Sequence, residues 1–317
     1  MRAAENVDSS AAQGDDPPEP ADGGLPRYVV HLLMTISATL VSTSFIVGAD
    51  LAPALDPVTL TLIRFFIAST IFAPLVLWRS GLQISLQLIL RCSLISLCLV
   101  VFFVCMFWSL RYTTALNTSI LFALVPSISW GYSFLLGGES LTARQLVALG
   151  CGIVGVIWVI FRGDPGVMVD LSWNKGDLIF LAGCFAMGLY TPLVKRLHRG
   201  ESMAVMTCWV LITGTGWLLL AMGKSLFQLD WAAIPGFVWG GILYLAIFTT
   251  IVTFFLTQLS VPYLGPTRVM AYSYLYPALV LALELLFGHD MPSGFVLPGV
   301  VIVLVAMFVV QSDKSIS

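Results

Sequence analysis

Charge is what this chain has least of. Asp, Glu, Lys and Arg supply 10% of its 317 residues, against about 25% in an ordinary soluble domain, so most of its surface has to meet something other than water. Six of the acids (Glu5, Asp8, Asp15, Asp16, Glu19 and Asp22) stand within the first 26 residues, with Arg2 alone against them. The formal net charge of -2 therefore belongs to a tail, and the rest of the chain is mildly basic. No basic stripe is present, which excludes nucleic acid as a partner. HExxH, GxSxG and the phosphate-cradling glycine loop are all missing, as is any cluster of His, Asp and Glu, so no catalytic residue, metal site or cofactor is expected and the chain is read as no enzyme. The six cysteines (Cys92, Cys98, Cys105, Cys151, Cys184 and Cys208) form no CxxC or Cys/His pattern and fall inside apolar runs. They read as small core residues rather than zinc ligands or disulfides.

Residues 1–27 also lack what a folded or targeting segment needs. Rich in Ser, Ala, Gly, Asp and Pro, they cannot bury enough apolar surface to fold, and no basic n-region with a cleavage site follows. The expectation is a disordered cytoplasmic tail.

What the chain has is apolar surface: 58% hydrophobic residues and a mean hydropathy of +0.95. A membrane-spanning helix takes ~20 apolar residues, and ten candidate segments follow one another near 29–49, 57–78, 87–109, 114–136, 143–161, 175–195, 202–222, 233–257, 266–287 and 294–311. The fold class expected is an all-α integral membrane protein. Orientation follows from the distribution of Lys and Arg. With the N-terminus inside, ten basic residues are cytoplasmic and four (Arg111, Arg162, Lys175, Lys224) are outside, with Arg64 left within the membrane. The cluster Lys195-Arg196-Leu197-His198-Arg199 pins the sixth-to-seventh connection inside, and both termini are cytoplasmic.

An internal repeat is visible at a constant spacing of 151 residues. "LFALVPSISWGYSFLLGGES" at 121–140 echoes "YSYLYPALVLALELLFGHDM" at 272–291, matching Pro126 with Pro277, Gly137 with Gly288 and Glu139 with Asp290. If each half has five helices, an odd number, the second half must be inverted. Inverted repeats place a solute site near the midplane, where the halves meet. The expected units are a first repeat over 28–162, a second over 175–311, and a short cytoplasmic C-terminus at 312–317.

The pieces "TLIRFFIAS" (61–69), "LRYTTALNTSILFALVP" (110–126) and "LLGGESLTARQLVALGCGIVGVIWVI" (135–160) in the first half, with "GDLIFLAGCFAMGLYTPLVKR" (176–196), "YLAIFTTIVTFFL" (244–256), "LGPTRVMAYSYLYP" (264–277) and "PGVVIVLVAMFVV" (298–310) in the second, resemble the EamA branch of the drug/metabolite transporter superfamily. Within that branch the chain looks most like YddG-type bacterial exporters of aromatic and other neutral amino acids. Two departures are "VSTSF" (41–45), where the family often has Trp-Gly, and Gly288-His289-Asp290, where Gly-Glu is usual. The resemblance implies a ten-helix carrier in the bacterial inner membrane that exports a small neutral solute by alternating access, without a cofactor. Export of another metabolite or drug-like solute is the alternative. An intramembrane enzyme acting on a lipid-linked group is the reading from another class, and it lacks a nucleophile or acid/base pair at one depth.

Candidate site residues follow from what is costly in lipid. Pro126, Pro192 and Pro277 lie within spans and remove the bonds to the carbonyls of Phe122, Gly188 and Ser273; freed carbonyls must face protein, water or solute. The prolines mark helix kinks, either for packing or for a ligand. Phe102, Phe122, Tyr190 and Tyr274 supply aromatic walls, and Ser42 lies on a first-span face with Thr35 and Thr39 at i, i+4, i+7. That face either glues helices together or lines the pocket. A neutral amino acid would set its ammonium on the carbonyls of Phe122 and Ser273 and stack its side chain on the rings. Arg64 lies about 10 Å into the second span at a depth matching Glu284; they form an outer gate or ion pair, or Arg64 reaches up to the interface.

The topology predicts a labelling pattern in a cysteine-free background. Ser80→Cys and Ser202→Cys are shielded from an impermeant thiol reagent applied outside sealed cells, and Ser172→Cys reacts. Reaction at Ser202→Cys contradicts the inside placement of the basic connection.

Overall fold

The computed structural model describes residues 25–80, 84–136, 143–160, 174–223, 225–228, 230–264, 266–288, 294 and 296–311. Ten helical spans follow in order: α1 (Arg27–Leu51), α2 (Pro57–Ser80), α3 (Leu86–Ser109), α4 (Ala115–Phe122 and Val125–Leu135), α5 (Ala143–Ile160), α6 (Lys175–Leu197), α7 (Met203–Met222), α8 (Gly236–Ala246, Ile247–Val252 and Thr253–Leu264), α9 (Pro266–Ala271, Tyr272–Leu275 and Tyr276–Leu286) and α10 (Val296–Gln311). Eight of them are long and apolar enough to cross a membrane; α5 and α10 are shorter and pack side by side. Residues 137–142, 161–173 and 289–293 lie outside the described residues, and with them the repeat partners Gly137, Glu139 and Asp290.

Three spans, α2, α4 and α6, start where backbone amides of the first turn find a side-chain acceptor. Asp56 accepts from the amides of Val58 (3.0 Å) and Thr59 (3.2 Å), Thr114 from Asn117 (3.1 Å) and Asn174 from Gly176 (2.7 Å). Outward-facing positions are filled by Leu32, Ile36, Phe66, Leu75, Leu90, Leu220 and Phe255, all exposed, as expected of a surface in hydrocarbon. Inside, close approach depends on missing side chains. A Cβ at Gly183 would lie 2.8 Å from the Cβ of Cys105, one at Gly214 2.9 Å from the Phe65 ring, and one at Gly188 2.5 Å from Cγ2 of Ile128.

Most of the close packing partners repeat when every span number is shifted by five, although α2 packs on α3 more closely than α7 does on α8, and α1 on α4 more closely than α6 does on α9. α3 packs on α6, and α8 on α1; the second piece of α4 packs on α6, and the last piece of α9 on α1; α3 meets α7, and α8 meets α2. The pairs α2–α7, α4–α9 and α5–α10 map onto themselves. Five spans per half, repeated and inverted, give this pattern. The breaks in α4 and α9 are equivalent down to the backbone. Leu124 and Leu275, 151 residues apart, have φ/ψ of −76/−21 and −77/−22, each just before a proline-led restart.

The two ends of the bundle differ. Where α1 and α3 finish and α2, α4 and α8 begin, one continuous core including Phe45, Leu51, Leu60, Met106, Phe107, Leu116 and Ile242 closes the molecule. Arg111 braces this end by donating to the carbonyls of Ala52 (2.8 Å) and Leu55 (2.9 Å). At the opposite end, which carries the start of α1, Arg91 pairs with Glu201 at 2.5 Å and donates to the Leu197 carbonyl.

Gly188→Ala puts a methyl group into the side chain of Ile128, an overpacking that costs about 1–3 kcal/mol. The melting temperature of the purified protein falls, and adding Ile128→Ala restores part of the loss. Gly216→Ala, where nothing lies within 4 Å, leaves it unchanged.

Candidate functional site

Among the described residues three spans are interrupted, and all three interruptions border one cavity. In α4 the amides of Ala123 and Leu124 bond to the carbonyls of Ile120 and Leu121, three residues back. In α9 the 3-10 turn Tyr272–Leu275 ends with the Tyr276 amide bonded to the Ser273 carbonyl. In α8 the segment Ile247–Val252 winds as a π-helix, a rare form that is frequent at functional sites. There Thr249 and Thr250 both donate to the Leu245 carbonyl at 2.9 Å.

The cavity measures about 250 Å³, just below the ~300–1,000 Å³ of ligand pockets. Its near part is bounded by Met34, Ser37, Ala38 and Val41 of α1, with Val269 and Tyr272 of α9. Tyr272 shares a 2.5 Å hydrogen bond with His31 Nδ1. Met187 and Tyr190 of α6, Thr207 and Leu211 of α7, and Thr253 and Thr257 of α8 form the sides. At its deep end stand Phe103, Phe122, Ser273, Tyr276, Thr249 and Thr250. These residues occupy the half of the bundle that carries the start of α1. Among the described residues, α5 and α10 contribute nothing to the lining.

The rings at the deep end are the near face of a layer of rings. Phe45, Phe102, Phe122, Phe180 and Tyr276 meet one another with centroids 5.5–6.4 Å apart, and Phe103 joins them through Phe102 at 5.0 Å. They come from α1, α3, α4, α6 and α9, so the layer spans both halves and separates the cavity from the closed end. The polar complement of the lining is mainly hydroxyl. The Ser273 hydroxyl is buried without a hydrogen-bond partner among the described residues and belongs to the cavity wall.

Arg64 stands just behind this wall, 1% exposed. Nε donates to Thr250 and Nη2 to Thr249, each at 3.1 Å, and the guanidinium carbon lies 4.2 Å over the Phe103 ring. Nη1 has no partner among the described residues.

Of the residues singled out from sequence, Phe122, Tyr190 and Ser273 line the cavity. Ser42 does not: its hydroxyl bonds back to the Ala38 carbonyl at 2.8 Å, and the lining face of α1 is the adjacent one, Met34, Ser37, Ala38 and Val41. Phe102 sits one layer behind, within the rings. Tyr274 is turned to α5, where a Cβ on Gly152 would lie 3.5 Å from its ring; Tyr276 and Tyr272 take the place expected for it. The Ser273 carbonyl is not freed, because the Tyr276 amide reaches it three residues on. Pro126 and Pro277 do sit at helix restarts, whereas α6 runs through Pro192 without interruption. Arg64 bonds to threonines and not to Glu284, which is half-buried on the last turns of α9. Sequence reasoning missed Thr249, Thr250, Thr207, Thr253 and Thr257. The run "TTIVT" at 249–253, with threonines at 249, 250 and 253 opposite a lone intramembrane arginine, was the available signal.

A model of the EamA-like transporter family matches residues 29–161 and 174–312. An "Uncharacterized transporter" of Archaeoglobus fulgidus is 25% identical over 90% of this chain and 98% of its own length. The "Uncharacterized transporter YyaM" of Bacillus subtilis is 22% identical over 62% of this chain and 65% of its own length, and "Protein PecM" of Dickeya dadantii is 27% identical over 67% and 69%. A solved protein crystal structure shares the fold, with a TM-score of 0.63 at 18% identity over 90% of this chain and 98% of that one.

The lining makes a distinct accessibility prediction. In a cysteine-free background, Ser273→Cys and Thr207→Cys form mixed disulfides with a small methanethiosulfonate reagent, whereas Ser42→Cys and Tyr274→Cys do not. Equal reaction at all four positions contradicts this placement of the cavity.

Proposed function

The chain belongs to the EamA-like transporter family, and on that premise we propose that it exports small neutral metabolites, aromatic and other neutral amino acids foremost, across a bacterial inner membrane. The observation that carries the reading is the cavity itself: about 250 Å³, bounded by eight spans from both halves, walled by rings and hydroxyls, with no charged side chain in its lining among the described residues. Such a wall suits a flat or amphipathic solute without net charge. Rings at the deep end receive the side chain, and the Ser273 hydroxyl with its threonine neighbours receives polar atoms.

The two repeats, taken as 28–162 and 175–311, rock against each other about the ring layer. With the N-terminus in the cytoplasm, as the Lys/Arg distribution favours, the cavity lies on the cytoplasmic half and the closed end faces out, the arrangement in which a solute to be exported is loaded. Flux down a cytoplasmic gradient needs no proton relay.

Proteoliposomes containing only this protein carry phenylalanine and tryptophan, and more slowly methionine, leucine and threonine. An aromatic pair adds ~0.5–1.5 kcal/mol beyond burial, so the preference for aromatic solutes is at most about tenfold. Tyr190→Ala and Tyr276→Ala reduce phenylalanine flux more than threonine flux. Equal losses assign these rings to structure, and absence of flux for every amino acid refutes the substrate class.

A further inference from the structure

We infer that Arg64 is the anchor for a carboxylate on the transported solute. The inference rests on the cavity being the solute site and goes further, by naming a charged group the solute must carry.

A cation this deep is expensive: at least ~2.5–3.5 kcal/mol on insertion scales, and buried charges are ordinarily paired. Arg64 is 1% exposed, yet its hydrogen bonds go to neutral hydroxyls. Those hydroxyls are committed. Thr249 and Thr250 each give their proton to the Leu245 carbonyl, so both present lone pairs to the guanidinium. This is a consequence of the π-helical turn, which brings two consecutive threonines to one carbonyl. The Phe103 ring lies over the guanidinium at 4.2 Å and holds it by a cation–π contact. The fork is thus fixed on two sides by groups that carry no charge, and Nη1 is left without a partner among the described residues.

The three residues that hold Arg64, namely Phe103, Thr249 and Thr250, all belong to the deep wall of the cavity. Arg64 itself lies behind these lining residues, so a carboxylate in the cavity meets the guanidinium where these side chains give way. A carboxylate matches a planar guanidinium in charge and geometry, and in a site shielded from water the pairing is stronger than at a surface. A zwitterionic solute would place its carboxylate here, its side chain on the rings, and its ammonium toward the hydroxyl-bearing walls.

The test is the melting temperature of the purified full-length protein in detergent, titrated at constant ionic strength with benzoate and phenylacetate and, in parallel, with benzamide and phenylacetamide. The carboxylates raise the melting temperature saturably and the matched amides do not. Arg64→Gln abolishes the shift. Arg64→Lys, which keeps the charge but not the fork, raises the half-saturating concentration at least tenfold and serves alone should the Gln variant not fold. Equal shifts from acids and amides, a shift retained in Arg64→Gln, no shift from either acid, or protection by chloride as effective as by carboxylate would each overturn the inference. The amino acid reading fails separately. Carboxylate binding through Arg64 without amino acid flux sinks that reading alone, and equal flux of phenylalanine and phenylalaninamide sinks the anchor alone.

Discussion

In hydrocarbon a backbone amide or carbonyl without a partner costs several kcal/mol, and much of this structure is a response to that penalty. Most of the chain answers with uninterrupted helix. Where α4, α8 and α9 depart from α-helical winding, each departure is re-satisfied locally: by amides reaching three residues back in α4 and α9, and by two threonine hydroxyls on one carbonyl in α8. All three departures border the same cavity. The lipid-facing surface of the bundle is left to apolar side chains, and irregular backbone is confined to where protein covers it.

The same economy shapes the site. Helices that come within contact of missing Cβ atoms at Gly183, Gly188 and Gly214 bring both halves close enough for one ring layer to seal one end. The helix breaks then open space on the other side of that layer. Arg64 is the exception to the rule of burying no unpaired charge. It lies where the π-helical turn of α8, the ring layer and the cavity wall meet.

Span positions were legible in the sequence because hydropathy and length decide them, and nine of the ten expected segments fall within a few residues of the observed helices; the eighth ends seven residues later than expected, at Leu264. The breaks at Pro126 and Pro277 were legible too, since proline removes a donor, but the same argument marked Pro192, where α6 runs on. Rotation about a helix axis was not. Ser42 and Ser37 both sit on a hydroxyl-rich span, and only packing against α8 and α9 determines which face turns inward. In α9 depth along the span selected Tyr274, but depth does not fix azimuth: Tyr272 and Tyr276 face the cavity, while Tyr274 is turned to α5. The π-helical turn of α8 contains no proline or glycine, and nothing in local composition announces it. Depth alone put Arg64 beside Glu284, whereas the azimuth of α2 points it at α8.

The central claim is that the two halves must move so that the closed end opens. Leu51, at the end of α1, touches Gly241 of α8 there, with a Cβ on the glycine falling 2.9 Å from the leucine side chain. Leu51→Cys with Gly241→Cys, joined by a short reducible bifunctional thiol reagent in an otherwise cysteine-free protein, ties that end shut. Solute flux into proteoliposomes, measured before cross-linking, after it and after reduction, decides the matter. The account predicts that flux falls to background with the link in place and returns when it is cut. Undiminished flux through fully cross-linked protein would contradict it.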